Sequence, residues 1–421
     1  MDELIIPVTP PSAFLRAARL GAAMFLALSL ASLGAAAAGE TSAVGMTPIE
    51  QLGARLFSDH SLSEPQGVAC ASCHDPARAF SGNNGSPIAA VARGAPAGAF
   101  GTRKAPGLTY VSFTPPFSFI DKKDEETGKT EKTPAGGQFR DGRANSLEQQ
   151  ASGPLLNPVE MNNPSKAAVA AKVREGAYAD FARSVFGKDV FENSDAAFDK
   201  LMRAIAAFER TQAFQPFNSR FDAMLRGQAQ FTPLEAKGFE LFKNPRKGNC
   251  LACHVGEKKS HDPKDWLFTD FTFDTLGAPR NGAIPANAKA GEFDLGLCKR
   301  EGLAALAPKG FDVESVCGAF KVPTLRNVAL TAPYMHNGAF SSLRDAVAFY
   351  ATRDTNPERW FPKGADGKVL KFDDLPEKFR GNVNVKEVPY DRKPGQRPRL
   401  SDSEVDAIVA FLETLTDKRG E

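Results

Sequence analysis

Residues 70–74 read CASCH and residues 250–254 read CLACH, in a chain with six cysteines and five histidines. Two cysteines spaced by two residues can form thioethers to both vinyl groups of a haem, and the histidine that follows then meets the iron. Structural zinc would need two further ligands at finger spacing, and of the residues that follow either motif His261 alone is close. A thioredoxin-like redox disulfide would give the histidine no task. The pentapeptides therefore read as two covalent haem c sites. Cys70, Cys73 and His74 serve the first; Cys250, Cys253 and His254 serve the second.

The elements that must carry these sites repeat as well. TPIEQLGARLF (47–57) precedes the first pentapeptide and TPLEAKGFELF (232–242) precedes the second, with six of eleven positions identical. Each opens as a helix should, with threonine as the cap, proline at the first helical position and a glutamate that reaches back to the cap. A capping box alone is common, but the repeat in register before each CxxCH marks a duplicated unit. Further helices are expected over 166–186, ended by Gly187, and over 195–213, 342–352 and 402–416. The last has Ser401 and Glu404 as its box and a stripe of Val405, Ile408, Val409, Leu412 and Leu415. Strand signals are few, and long loops are expected at 81–105, 114–138, 256–320 and 353–400. The pattern predicts a mainly α-helical protein of two small domains, 39–225 and 226–421, each stapled by its cofactor.

Composition sets the outer bounds. The chain has 421 residues, and its net charge of +2 comes from 52 basic and 50 acidic side chains. No basic run stands out, which argues against nucleic acid as a partner. After Arg16 and Arg19 comes an apolar run, LGAAMFLALSLASLGAAAAGE, with Ala36 and Ala38 as an A-x-A cleavage signal. Residues 1–38 thus read as a signal peptide and the protein as exported to the periplasm, with no membrane span after its removal. An uncleaved anchor is the alternative. In an oxidising compartment Cys298 and Cys317, which no histidine follows, read as a disulfide within 291–320 worth about 3 kcal/mol, with free thiols as the alternative.

Two longer stretches, GGQFRDGRANSLEQQASGPLLNPVEM (136–161) and FKVPTLRNVALTAPYMHNGAFSSLRDAVAFY (320–350), resemble the bacterial di-haem cytochrome c peroxidase/MauG superfamily. The resemblance covers nearly all of the chain after the leader and implies two cytochrome c-like domains with long loops. It implies that hydrogen peroxide reacts at the N-terminal haem, with Glu160, Gln150 and Pro154 as its distal residues. A carboxylate beside bound peroxide can take a proton from one oxygen and return it to the other. The displaceable histidine that peroxidases of this family carry after the first CxxCH is missing, since 75–105 contains no histidine. That iron is therefore expected to be open from the start.

For the second haem the resemblance implies a sixth ligand at the end of AVAFY, where peroxidases carry methionine and the MauG-like branch carries tyrosine. Tyr350 is the candidate, with Met335 and His336 as alternatives. By periodicity alone Tyr350 continues the apolar stripe of Leu343, Ala346 and Val347. A phenolate favours the more oxidised iron, whereas a thioether favours ferrous iron. The expected function is thus MauG-like: peroxide reacts at the first haem, and the His254/Tyr350 haem stores or relays oxidising equivalents toward a protein side chain or a small reductant. The alternatives are a cytochrome c peroxidase fed by a small cytochrome c or cupredoxin, and a di-haem electron-transfer protein without catalysis. A homodimer is compatible with the resemblance.

Two positions depart from the family pattern. FRDGR places Arg140 where the family has a relay tryptophan, and a guanidinium there suits haem propionates. RKAP (103–106) places Lys104 where the family has an asparagine that helps to hold an inter-haem calcium. The lysine argues against calcium and is expected to satisfy the carbonyls of Thr331 and Pro333 itself.

Overall fold

The computed structural model describes residues 45–123, 128–289 and 291–418, so the leader read at 1–38 lies outside the described residues. Among these, the α-helices in chain order are α1 (Pro48–Phe57), α2 (Cys70–Cys73), α3 (Leu147–Leu156), α4 (Lys166–Glu175), α5 (Ala179–Phe186), α6 (Ser194–Glu209), α7 (Arg220–Leu225), α8 (Pro233–Lys243), α9 (Leu303–Leu306), α10 (Leu343–Thr352) and α11 (Asp402–Glu413). Short 3₁₀ turns join them. The strands form two antiparallel pairs, β1 (Ser118–Lys123) with β2 (Thr130–Ala135) and β3 (Phe273–Asp274) with β4 (Phe320–Lys321). No helix among the described residues is long and apolar enough to cross a membrane. The fold is mainly α.

The two repeated segments form α1 and α8, and their caps close as the sequence requires. Glu50 accepts the Thr47 N–H at 2.7 Å, and Glu235 accepts the Thr232 N–H at 2.7 Å. Their shared glycine has a tertiary reason. A Cβ on Gly53 would stand 1.9 Å from the Ala204 carbonyl oxygen, and one on Gly238 would stand 1.9 Å from that of Ala407. α1 thus crosses α6 backbone to backbone, and α8 crosses α11 in the same way. The duplication extends into these partners: Ala204, Ile205, Ala207 and Phe208 recur as Ala407, Ile408, Ala410 and Phe411. Gly53→Ala or Gly238→Ala is expected to force each crossing apart and cost about 3 kcal/mol, because two backbones rather than one flexible side chain must yield. Denaturant midpoints of the two variants check this.

Each crossing helps to seal an apolar core. Leu52, Leu56, Phe57, Phe198, Leu201 and Ile205 fill the first; Phe221, Phe242, Phe268, Ile408, Phe411 and Leu415 fill the second. A buried bidentate pair between Arg326 and Asp222, at 2.9 and 3.0 Å, fastens α7 to the second core. Tyr110 and Asn327 both donate to Asp417, at 2.7 and 2.6 Å, which ties the first half's loop to the chain's last described turn.

Some boundaries differ from expectation. The helix read over 166–186 is two helices, α4 and α5, because the chain turns through an extended Gly176. The helix read over 195–213 stops at Glu209, after which a 3₁₀ turn carries Phe214 into the first core. The loop read at 114–138 contains the β1–β2 hairpin. Its residues are too charged to show an apolar alternation, and Lys122 anchors it through Asp270 at 2.7 Å.

Candidate functional site

Each CxxCH motif lines a large cavity. The N-terminal cavity is walled by Cys70, Cys73 and His74, by Gln150 and Pro154 of α3, by Glu160, and by Ile205 and Glu209 of α6. The C-terminal cavity is walled by Cys250, Cys253 and His254, by Leu343, Ala346, Val347 and Tyr350 of α10, and by Ile408 and Leu412 of α11. Cys298 and Cys317 are joined as a disulfide, with Cα atoms 4.8 Å apart.

The histidines are held as iron ligands need to be. His74 Nδ1 meets the Phe80 carbonyl at 2.9 Å, and His254 Nδ1 meets the Phe268 carbonyl at 3.0 Å and that of Pro323 at 3.2 Å. A carbonyl only accepts, so Nδ1 carries the proton and the free lone pair lies on Nε2. Burial keeps both rings neutral and pushes His74 down to about 4. Burial also pushes the Cys70 and Cys250 thiols up to about 12, opposite to the thiolate that a redox disulfide would need. Two neutral thiols and one imidazole lone pair on the wall of an apolar slot fit a covalently attached porphyrin.

In the N-terminal cavity, Gln150 and Pro154 stand one helical turn apart on α3. Pro154 has no N–H to offer the Gln150 carbonyl, and the helix ends two residues later. The chain then turns to present Glu160. Ala95 donates to the Glu160 carbonyl at 2.7 Å, and Gly94 permits that approach, since a Cβ there would lie 2.3 Å from the Val159 oxygen. Burial raises the Glu160 carboxyl above its usual range, with Arg143 and Asn157 opposing. Its carboxylate is therefore a stronger base than an exposed one.

In the C-terminal cavity the stripe of Leu343, Ala346 and Val347 and the side chain of Tyr350 all face the slot. Burial, with Asp274 next in weight, holds the Tyr350 hydroxyl above the normal phenol range, so a nearby cation is needed to keep it ionised. Met335 and His336 line the same cavity. His336 is already occupied, its ring stacked on Phe320 at 3.8 Å and its Nε2 bonded to Asp374 at 3.0 Å. Tyr390, whose ring lies 6.2 Å from that of Tyr350, bonds to Asp274 at 3.3 Å. Neither Asp274 nor Tyr390 carries a local sequence signal, since both sit in segments read as loops.

Lys104, Pro106 and Arg140 line both cavities and so lie between them. Lys104 is buried, but it does not reach the carbonyls of Thr331 and Pro333 as expected. Its Nζ donates to Ser81 Oγ at 2.7 Å, because the Ser81 hydroxyl itself donates to Ala105 and keeps a lone pair free. The cation that reaches that backbone is Arg78, whose Nη2 donates to the Ala332 carbonyl at 2.7 Å. Arg140 Nε bonds to the Lys104 carbonyl at 3.1 Å. No carboxylate pairs with Lys104 or Arg140 among the described residues. Burial pushes both down, Lys104 well below its ordinary range and Arg140 to about 10. A belt of cations that lacks its anions is what haem propionates would complete.

The same belt disfavours a divalent cation. The purified protein is expected to contain no stoichiometric calcium, and Lys104→Asn to gain affinity for it, as elemental analysis after mild chelation would show.

Comparison with known proteins agrees with this chemistry. A family profile described as di-haem cytochrome c peroxidase matches residues 48–230. The chain is 40% identical over 381 residues to the methylamine utilization protein MauG of Paracoccus denitrificans, covering 88% of this chain and 89% of that one. It is 28% identical to the cytochrome c551 peroxidase of Pseudomonas aeruginosa, over 71% of this chain and 70% of that one. Among solved structures, the diheme peroxidase BthA from Burkholderia thailandensis matches with a TM-score of 0.81 and 42% identity, covering 88% of this chain and 86% of that one.

Proposed function

The chain belongs to the di-haem cytochrome c peroxidase/MauG family, and we propose on that premise that it reacts with hydrogen peroxide in its N-terminal cavity and holds oxidising equivalents in its C-terminal one. Each half, 39–225 and 226–421, carries one haem c, on Cys70, Cys73 and His74 or on Cys250, Cys253 and His254. The haems, when bound, supply the redox chemistry by which peroxide accepts electrons. The chain's own residues supply positioning and protons. Glu160 takes the proton of the attacking peroxide oxygen and passes it to the leaving oxygen, and Gln150 orients the molecule beside it. Pro154 ends the wall behind them. Arg140 and Lys104 neutralise propionates between the two sites.

Tyr350 would be the residue that holds the iron of the second haem together with His254 in this reading. The observation that carries it is the α10 face: Tyr350 is the donor that this face presents to the cavity, while His336 is engaged with Asp374. An anionic oxygen ligand favours storage of oxidising equivalents over entry of electrons. The reductant is accordingly a protein side chain or a small molecule, met in the periplasm if residues 1–38 direct export. A second reading, a peroxidase fed by a small cytochrome c or cupredoxin, is favoured by relatives named as cytochrome c peroxidases.

A stoichiometric hydrogen peroxide titration of the all-ferric protein, followed into the near infrared, separates the readings. Immediate change at both haems supports the first. A reaction that waits for reduction of one haem supports the second. No reaction in either state leaves only electron transfer.

A further inference from the structure

Glu209, the last residue of α6, is 3% exposed, and its Oε2 is buried without a hydrogen-bond partner. It lines the same cavity as His74, Gln150 and Glu160. Packing does not call for an acid there. In the repeat shared by α6 and α11, Glu209 stands where α11 has Leu412, which lines the C-terminal cavity. A leucine fills this position in one half and a carboxyl fills it in the other.

Its place on the helix adds to the cost. No basic residue occupies the last turn of α6, and the carbonyls there present the negative pole of the helix. A carboxylate would be opposed both by burial and by that pole. Burial raises the group to about 8, with Arg210 opposing and Glu148 assisting, so at neutral pH it is a carboxylic acid. Of the elements packed around it, α2 contributes the neutral Cys70 thiol and α3 contributes Glu148. The charges of α1 and α4 are engaged elsewhere: Glu50 with Thr47, Arg55 over Phe181, Lys166 with Asp199, Lys172 with Glu64, and Arg174 with Glu175.

We propose that Glu209 is the proton-relay acid of the N-terminal cavity, passing protons to the peroxide pocket and recovering them from solvent past the Arg210–Glu148 pair. The proposal rests on the peroxide chemistry assigned above. Turning one hydrogen peroxide into two waters breaks one O–O bond, forms two O–H bonds, and takes up two electrons and two protons. The reductant supplies the electrons. Glu160 moves a proton between the two oxygens and ends as it began, so it imports none. Both protons must enter a cavity lined by apolar side chains such as Leu108, Ala151 and Ile205 and by arginines, where the carboxyl of Asp141 is already held by Arg103 and Arg143. Glu209 places an exchangeable proton in that lining. Arg210 and Glu148, paired at 2.9 Å and both partly exposed, lead from it to solvent.

Glu209→Gln keeps the shape and removes the acid. The variant is expected to carry both haems with an unchanged ferric spectrum. Its steady-state peroxide reduction should fall at least about tenfold, with a changed solvent deuterium isotope effect. The wild type should lose activity as pH rises through about 8, where the acid ionises, and the variant should lack that limb. Without turnover, the infrared spectrum of the resting wild type should show a protonated carboxyl band that the variant lacks.

Arg210→Gln removes the opposing cation and should move the limb to higher pH. It decides the matter if Glu209→Gln fails to mature. An unmoved limb, an absent carboxyl band, or a Glu209→Gln enzyme with the wild-type rate overturns the relay. A wild type that consumes no peroxide overturns both the relay and the peroxide reading. A peroxide-consuming enzyme indifferent to Glu209→Gln overturns the relay alone.

Discussion

Replacing Glu160 with glutamine slows the reaction of the ferric protein with hydrogen peroxide by about 10²–10⁴-fold and leaves both haems attached. In barrier terms this is about 3–5 kcal/mol. The amide keeps the volume and a hydrogen-bonding end, so peroxide can still enter, but it cannot accept a proton. The wild-type rate is expected to rise with pH through the Glu160 carboxyl, because the ionised form is the base and burial raises the group above the usual carboxyl range. In Glu160→Gln that limb disappears. Stopped-flow rates against peroxide concentration at several pH values give both quantities. A loss of less than about threefold would move the base role from Glu160 to another group.

The repeat and its capped helices were legible in the sequence, because CxxCH, the capping boxes and the repeat are local signals. Tertiary reasons were hidden from it. Gly53 and Gly238 read as matching letters, and only the crossing of α1 on α6 and of α8 on α11 shows that a side chain would strike the Ala204 or Ala407 carbonyl. Lys104 stands out in the sequence, but its partner is Ser81, and the cation on the 331–333 backbone comes from Arg78. Which long side chain reaches which carbonyl depends on loop geometry that spacing does not encode.

Glu209 did leave a trace. It continues the buried positions Phe198, Met202 and Ile205 at helical spacing, and a charge on that stripe is anomalous. Its meaning became clear only beside Leu412. Asp274 and Tyr390 left no trace, since each reaches the second cavity from a segment without periodicity.

Replacing Tyr350 with methionine raises the reduction potential of the C-terminal haem by on the order of a few hundred millivolts and suppresses its response to peroxide. The argument is electrostatic. A phenolate brings a negative charge to the buried cavity, and Asp274 lies close enough to raise the tyrosine further. Such a ligand is stable only opposite a highly charged cation, and so it selects the oxidised metal. A thioether is neutral and polarisable and selects the reduced one. Methionine is unbranched and can occupy the slot between Val347 and Tyr390 without forcing α10 away. The variant should therefore mature normally, and redox titration of its two haems reads the effect at one site against the other. If Tyr350 were only part of the wall, the potential would stay near its wild-type value and Met335→Leu would shift it instead. The two variants thus assign the ligand whichever way the result falls. With the ligand assigned, it is also decided whether the second cavity stores oxidising power or admits electrons.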